Sequence, residues 1–219
     1  MNAHGITAVL QGALSRYSYP SVVWDFAHQR ERRLPSMREV ETFIGERLVS
    51  RKPDRVKQGL ANVLFWGHYS AGYCKHRVED FLSRLTQDQL RHATDFLPKA
   101  EGPALRKLKS LGLPQFSQVS FLSKLRMFLD PSRYVVLDRR LARLRDAPSR
   151  TVFQSLTVYS GIPCSGRNEE IYARWCSLCC KWGQKLRVPA VDVERAVWQL
   201  LKEDQAKATS VVSSMEVTA

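Results

Sequence analysis

The chain has 219 residues, 44% hydrophobic and 10% aromatic, enough for one sizeable core or two small ones, so disorder is expected only at the ends. Its 34 Lys and Arg against 21 Asp and Glu leave a net charge of +13, a balance that attracts polyanions. The longest apolar runs, Ala61–Trp66 and Tyr134–Leu137, fall far short of the roughly 20 residues that span a membrane. Met1–Gln11 lacks the basic flank and long apolar stretch of a secretory signal, so a cytoplasmic location is expected. No helix pairs a Lys-rich face with a broad apolar one, which favours nucleic acid over a lipid surface as the partner. Between Lys99 and Arg150 stand 12 basic residues against 4 acids, so eight of the thirteen excess charges lie in under a quarter of the chain.

In chain order the periodicity is helical nearly throughout. Ser36-Met37-Arg38-Glu39 has the form of a capping box, and Met37, Val40, Phe43, Ile44 and Leu48 then fall on one helix face. Trp66-Gly67-His68-Tyr69, with Tyr73, sits on a further predicted helix; its rings are either core or a stacking surface for a base. Thr86–Gln89 repeats the start signal. Pro103–Leu111 predicts a short basic helix, Gly112–Phe116 a tight turn, and Ser117–Leu129 a second helix with Leu122, Leu125, Phe128 and Leu129 inward. The start of that second helix offers unbonded amides and the positive end of a dipole, a site for a phosphate.

Tyr134–Leu137 reads as an extended connector leading to Asp138 and a helix that opens Arg139-Arg140-Leu141. Asp138 can cap that helix or stand as an ionised carboxylate facing a cleft, and the residue types alone leave both open. After Pro189, the residues Val193, Ala196, Val197, Leu200 and Leu201 close a helical stripe, whereas Ala206–Ala219 shows no periodicity and is expected to fray. Pro and Gly breaks, Pro148 among them, divide the chain into about ten helices, and no convincing alternating strand is visible. The expectation is one compact all-α unit over residues 1–205, its two lobes flanking a cleft, followed by a disordered tail over 206–219. Five cysteines, an odd number in a chain of this size, argue for reduced thiols.

The run Leu113-Pro114-Gln115-Phe116-Ser117-Gln118-Val119, continuing through Phe128-Leu129-Asp130-Pro131 and Tyr134-Val135-Val136-Leu137-Asp138, resembles the helix-hairpin-helix DNA glycosylase superfamily. It is most similar to the branch with the fold of 8-oxoguanine glycosylase. That pattern has a Leu-Pro-Gly-Val-Gly hairpin, an apolar helix ending in Leu-Asp, a short extended run and a catalytic Asp. The spacing matches without a gap and covers roughly Gly102–Arg145. The resemblance implies a two-lobed helical fold with the active site in the interlobe cleft, extrusion of a nucleotide from double-stranded DNA, and hydrolysis of its N-glycosidic bond. Asp138 takes the catalytic position. Gln115, Ser117 and Gln118 of the hairpin, with Arg139, Arg140 and Arg143, and Arg145 beyond them, would contact the DNA backbone. Trp66, His68 and Tyr69 could meet the extruded base. Gln184, after Trp182-Gly183, is similar to the Gln that 8-oxoguanine enzymes present to the base.

Two departures from the pattern carry meaning. Gln115 and Ser117 replace the hairpin glycines, whose role is a left-handed turn. Val119 stands where bifunctional members carry a nucleophilic Lys, and valine forms no Schiff base; Lys124 lies more than a helical turn beyond. The implied enzyme is therefore a monofunctional glycosylase of a prokaryote that leaves an abasic site. Some bacterial relatives excise a hypermodified phage cytosine, such as glucosylated hydroxymethylcytosine. The replaced glycines and an unfamiliar Met1–Leu60 point to a specialised base of that kind. Repair of oxidised purines, a non-catalytic helix-hairpin-helix DNA-binding protein, and a metal protein organised by its cysteines are the alternatives.

Many relatives hold a 4Fe–4S cluster through four cysteines separated by six, two and five residues. Here Cys164, Cys176, Cys179 and Cys180 leave gaps of eleven, two and none, and adjacent helical cysteines point about 100° apart, poor geometry for one metal. Helix-packing thiols, no metal, no cofactor and a monomer are expected.

Overall fold

The structure, a computed structural model, describes residues 1–102, 104–146 and 151–218. Pro103, Pro148, Arg150 and Ala219, named above, lie outside the described residues. In chain order the elements are α1 (Ala3–Ser15), β1 (Val22–Asp25), β2 (Arg30–Arg33), α2 (Met37–Leu48), α3 (Pro53–His68), α4 (Cys74–Arg84), α5 (Gln87–Phe96), α6 (Leu105–Lys109), α7 (Val119–Leu129), α8 (Gly166–Leu186), α9 (Ala190–Glu203) and α10 (Gln205–Thr218). Short 3₁₀ turns occupy Tyr69–Ala71, Leu97–Lys99 and Leu141–Asp146. The fold is all-α with one small ribbon. Instead of one unit over 1–205, the chain divides into two compact units, Tyr19–Asp130 and a second built from Met1–Ser18 with Pro131–Ala219.

In the unit Tyr19–Asp130, α3 is the centre. Its residues from Gly59 to Trp66 are buried without a break, as expected of a helix packed on all sides, and its neighbours are α2, α4, α5 and α7. Pro53 begins it at the one place where a missing N–H costs nothing. The predicted caps form: Ser36 Oγ accepts from the Glu39 amide, and Thr86 and Gln89 make a reciprocal box. A Cβ at Gly45 would stand 2.8 Å from the Phe128 carbonyl, so glycine is what lets α2 lie against α7.

The same unit holds the antiparallel ribbon that the sequence reading lacks, with Val22 opposite Arg33 and Asp25 opposite Arg30. Only β1 carries a buried pair, Val22 and Val23, whereas all four β2 residues are exposed, so no alternating pattern exists to be read. The strand is fixed from α3. The fully buried Asn62 accepts from the Trp24 amide at 2.6 Å and donates to the Trp24 carbonyl at 3.2 Å, replacing a third strand.

In the other unit, α8 presents Ile171, Tyr172, Trp175, Cys179 and Trp182 inward. The Trp175 indole donates to the Val136 carbonyl at 3.1 Å, which holds the extended run Tyr134–Leu137 against the helix; all four of its residues are buried. Amides at the start of α9 are satisfied by the Pro131 and Ser132 carbonyls, and the predicted stripe from Val193 to Leu201 is buried. The expected frayed tail over 206–219 is corrected. Residues up to Thr218 form α10, with Ala208, Val211, Val212 and Met215 buried at steps of three, four and seven. Its Glu216 carboxylate accepts from the Val152 amide, and the Met215 carbonyl accepts from the Trp182 indole at 3.2 Å. No helix among the described residues is long and apolar enough to cross a membrane.

Candidate active site and nucleic-acid interface

The hairpin belongs to the unit Tyr19–Asp130. Helix α6 runs from Leu105 to Lys109, the chain turns through Gly112 (φ +63°), and the Phe116 amide closes a turn on the Leu113 carbonyl at 3.1 Å. Helix α7 then begins without any side-chain cap. Gln115 stands at φ +67°, so the left-handed geometry of the first hairpin glycine is retained by a residue for which it costs about 1–2 kcal/mol. The side chain offsets that cost. Its Nε2 donates to the Arg77 carbonyl at 2.7 Å and to Asp80 Oδ2 at 3.0 Å, which ties the turn to α4. Gln115 therefore acts on the hairpin from behind, while Ser117 and Gln118 are exposed at the start of α7.

This arrangement predicts an order of stabilities. Gln115→Ala keeps the strained backbone and loses both hydrogen bonds, which costs about 1–2 kcal/mol. Gln115→Gly loses the same bonds but relieves the strain, so in urea unfolding it lies between Gln115→Ala and the parent.

At the position where bifunctional glycosylases carry lysine, Val119 is completely buried. Lys124 is 7% exposed and donates to the Ser120 carbonyl at 3.2 Å, with its ammonium 5.2 Å from the Phe121 ring centre.

Of the aromatic residues on α3 and just beyond it, Trp66 is 5% exposed and packs between Tyr19 and Phe128, with ring centres at 4.8 and 5.2 Å. That is a core position, although its buried indole N–H has no partner among the described residues. His68 is half-buried and lies over Phe121 at 4.4 Å and Tyr73 at 5.2 Å. Burial lowers its pKa to about 4, with Arg77 and Lys124 adding to the shift, so the imidazole is neutral at physiological pH. The Tyr69 hydroxyl donates to Glu31 on β2 at 2.8 Å, which raises its pKa. Of these three, His68 is the one that is half-buried and makes no side-chain hydrogen bond among the described residues.

Asp138 lies in the other unit, at the end of the extended run. The structure shows the first of the two options that the sequence left open, the cap. Oδ1 accepts from the Arg140 and Leu141 amides at 2.9 and 3.1 Å and so caps the 3₁₀ turn Leu141–Asp146. Oδ2 has no partner among the described residues, and the side chain is half-buried. One oxygen is thus held by the backbone and the other is available. The helix expected after Asp138 is this tight turn, which sends Arg139, Arg140, Arg143 and Arg145 into the wall of an open hollow of about 490 Å³, with Asp146 and Tyr159. Asp138 adjoins this hollow in sequence and is not part of its lining.

Arg139 and Arg143 are exposed, Arg145 pairs with Asp146 at 3.0 Å, and the Arg140 guanidinium lies 4.7 Å from the Trp198 ring centre. Tyr159, 75% exposed on the rim, escaped the sequence reading because it sits in an irregular segment without periodic signal. Gln184 is exposed near the end of α8.

Cys176, Cys179 and Cys180 lie on α8 and Cys164 just before it. Cys164, Cys176 and Cys179 are buried and Cys180 is half-buried. Burial pushes the Cys179 thiol well above its usual range and makes it a poor nucleophile. Among the described residues, no group of three or more His, Cys, Asp or Glu is placed to hold a metal ion.

The described chain is thus all-α, with a helix-hairpin-helix and, downstream, an aspartate at the end of an extended run that caps an arginine-rich turn. The sequence pattern of the family described as "Putative 8-oxoguanine DNA glycosylase OGG-like protein" matches residues 23–198. The chain belongs to this OGG-like family of DNA glycosylases. No curated protein and no solved structure matches it.

Proposed function

We propose that this protein is a cytoplasmic, monomeric, monofunctional DNA glycosylase that extrudes a modified base from double-stranded DNA and hydrolyses its N-glycosidic bond. The observation that carries the reading is Asp138, which the resemblance puts at the catalytic position, with Oδ1 fixed by two amides and Oδ2 without a partner among the described residues. As the base departs, the deoxyribose gains oxocarbenium character. A carboxylate beside C1′ stabilises that charge and orients or deprotonates the attacking water. Extrusion costs a few kcal/mol, which phosphate contacts from the arginine turn and the uncapped start of α7 offset. Burial of Val119 and engagement of Lys124 support hydrolysis without a Schiff base.

For the base itself, the replaced hairpin glycines and the distinctive N-terminal third favour a hypermodified cytosine such as glucosylated hydroxymethylcytosine, and with it a role in defence against phage. The family's description favours an oxidised purine. Mass spectrometry of bases released from the two kinds of DNA decides between them. The expected products are a free base and abasic sites that break only on treatment with alkali. Strand breaks without alkali, trapped by borohydride, would sink the monofunctional assignment. DNA binding with no base released from either substrate would leave only a helix-hairpin-helix binding protein.

A further inference from the structure

The ribbon in the unit Tyr19–Asp130 borders a pocket that the chemistry of Asp138 does not use. It encloses about 220 Å³, and its lining includes Trp24, Phe26, Phe43, Arg32, Arg47 and Gln58. Drug-sized ligands occupy roughly 300–1,000 Å³, so this space suits a single planar group. The Arg47 guanidinium stacks 3.3 Å from the centre of the Phe43 ring and spends one N–H on the Phe43 carbonyl at 2.8 Å. Its other donors have no hydrogen-bond partner among the described residues. Burial lowers its pKa, with Arg55 and Arg32 pressing in the same direction and the carboxylates of Glu46 and Asp25 opposing them. Here, then, is a half-buried cation that makes no ion pair within contact distance among the described residues. The Asp25 carboxylate in the same wall is already committed: Oδ1 accepts from the Ala27 and His28 amides, and Oδ2 meets the His28 ring at 2.9 Å.

Along exposed β2, Arg30 and Arg32 share one face of the ribbon and make no ion pair among the described residues, whereas Arg33 pairs with Glu31 at 3.8 Å. We propose that this pocket binds one unpaired nucleotide, its base against the aromatic rings and its phosphate on Arg32 and Arg47. The ligand class follows from what each alternative leaves idle. Inorganic phosphate makes no use of the rings of Trp24 and Phe26, and an uncharged ring makes no use of two guanidinium groups that lack an ion pair among the described residues. A nucleotide uses both, and Gln58 can hydrogen-bond the edge of its base. The nucleotide can be free or part of a strand, and the exposed arginines of β2 favour a strand. This site stands whether or not Asp138 cuts a glycosidic bond.

The test uses the full chain with Asp138→Asn, so that no base is released, and a fluorescently labelled single-stranded oligodeoxyadenylate. Phe26→Ala and Arg32→Ala are each expected to weaken binding about tenfold. Neither is expected to change the unfolding midpoint, because Phe26 is only half-buried and Arg32 is exposed. Competition by dAMP assigns the site to a free nucleotide. Failure of dAMP to compete, with both variants still weakened, assigns it to a nucleotide within a strand. Binding by both variants equal to the parent overturns the proposal. So does competition by inorganic phosphate as strong as that by dAMP, since the rings then contribute nothing. Loss of base release by Asp138→Asn leaves all of these readings untouched, so the pocket and the glycosylase assignment fail separately.

Discussion

Asp138→Asn lowers the rate of base release by two to three powers of ten without weakening DNA binding. The expectation rests on a charge argument and a geometric one. In a site of intermediate dielectric, a carboxylate about 4 Å from a developing cation contributes roughly 4 kcal/mol, and each 1.36 kcal/mol removed from a barrier is about tenfold in rate. Asparagine deletes the charge and little else. It caps turns about as well as aspartate, so its side-chain oxygen can still accept from the Arg140 and Leu141 amides that Oδ1 now holds. The turn, and the arginines that it carries, should therefore stay in place. Asp138→Ala makes the contrast, because it loses the charge and the cap together and should cost about 1 kcal/mol of stability as well. Single-turnover base release, DNA affinity and urea unfolding of the two variants separate the roles. An Asn variant that retains the parent's rate leaves Asp138 as a capping residue only.

Much of the helical framework was legible because its signals are local. Ser36 and Thr86 cap the helices they announce, and the stripe from Val193 to Leu201 is buried as its spacing requires. What escaped depends on partners distant in sequence. Nothing in Arg30-Glu31-Arg32-Arg33 marks a strand, since all four side chains are exposed and the ribbon is held by Asn62, 38 residues beyond Trp24. At the hairpin, spacing located the turn, but the reason Gln115 can occupy a glycine's conformation lies on α4, at Arg77 and Asp80. In α10 the stripe Ala208, Val211, Val212 and Met215 was present but short and interrupted by Thr209, Ser210, Ser213 and Ser214, small residues that give little contrast between faces. Asp138 shows the limit most clearly. Sequence alone posed capping and catalysis as rivals, whereas the two carboxylate oxygens can serve one purpose each.

The second large effect concerns affinity. Arg139 and Arg143 project from the capped turn into the open hollow, both are exposed, and neither makes an ion pair among the described residues. Two such cations beside DNA would each displace condensed counter-ions, and the logarithm of affinity falls with the logarithm of salt by about 0.9 for each phosphate neutralised. Arg139→Ala with Arg143→Ala should therefore flatten the salt slope by about 1.8 and weaken duplex binding roughly thirtyfold at about 0.15 M salt. The loss should be the same for modified and unmodified DNA, because phosphate contacts position a protein without reading its base. Arg140 was left out of this pair because its guanidinium also packs on Trp198, and removing it would mix a packing cost into the measurement. Titrations of the double variant at several salt concentrations give slope and affinity together. If the slope is unchanged, the arginine turn does not lie on phosphates, and the DNA path must be sought along other surfaces of the chain.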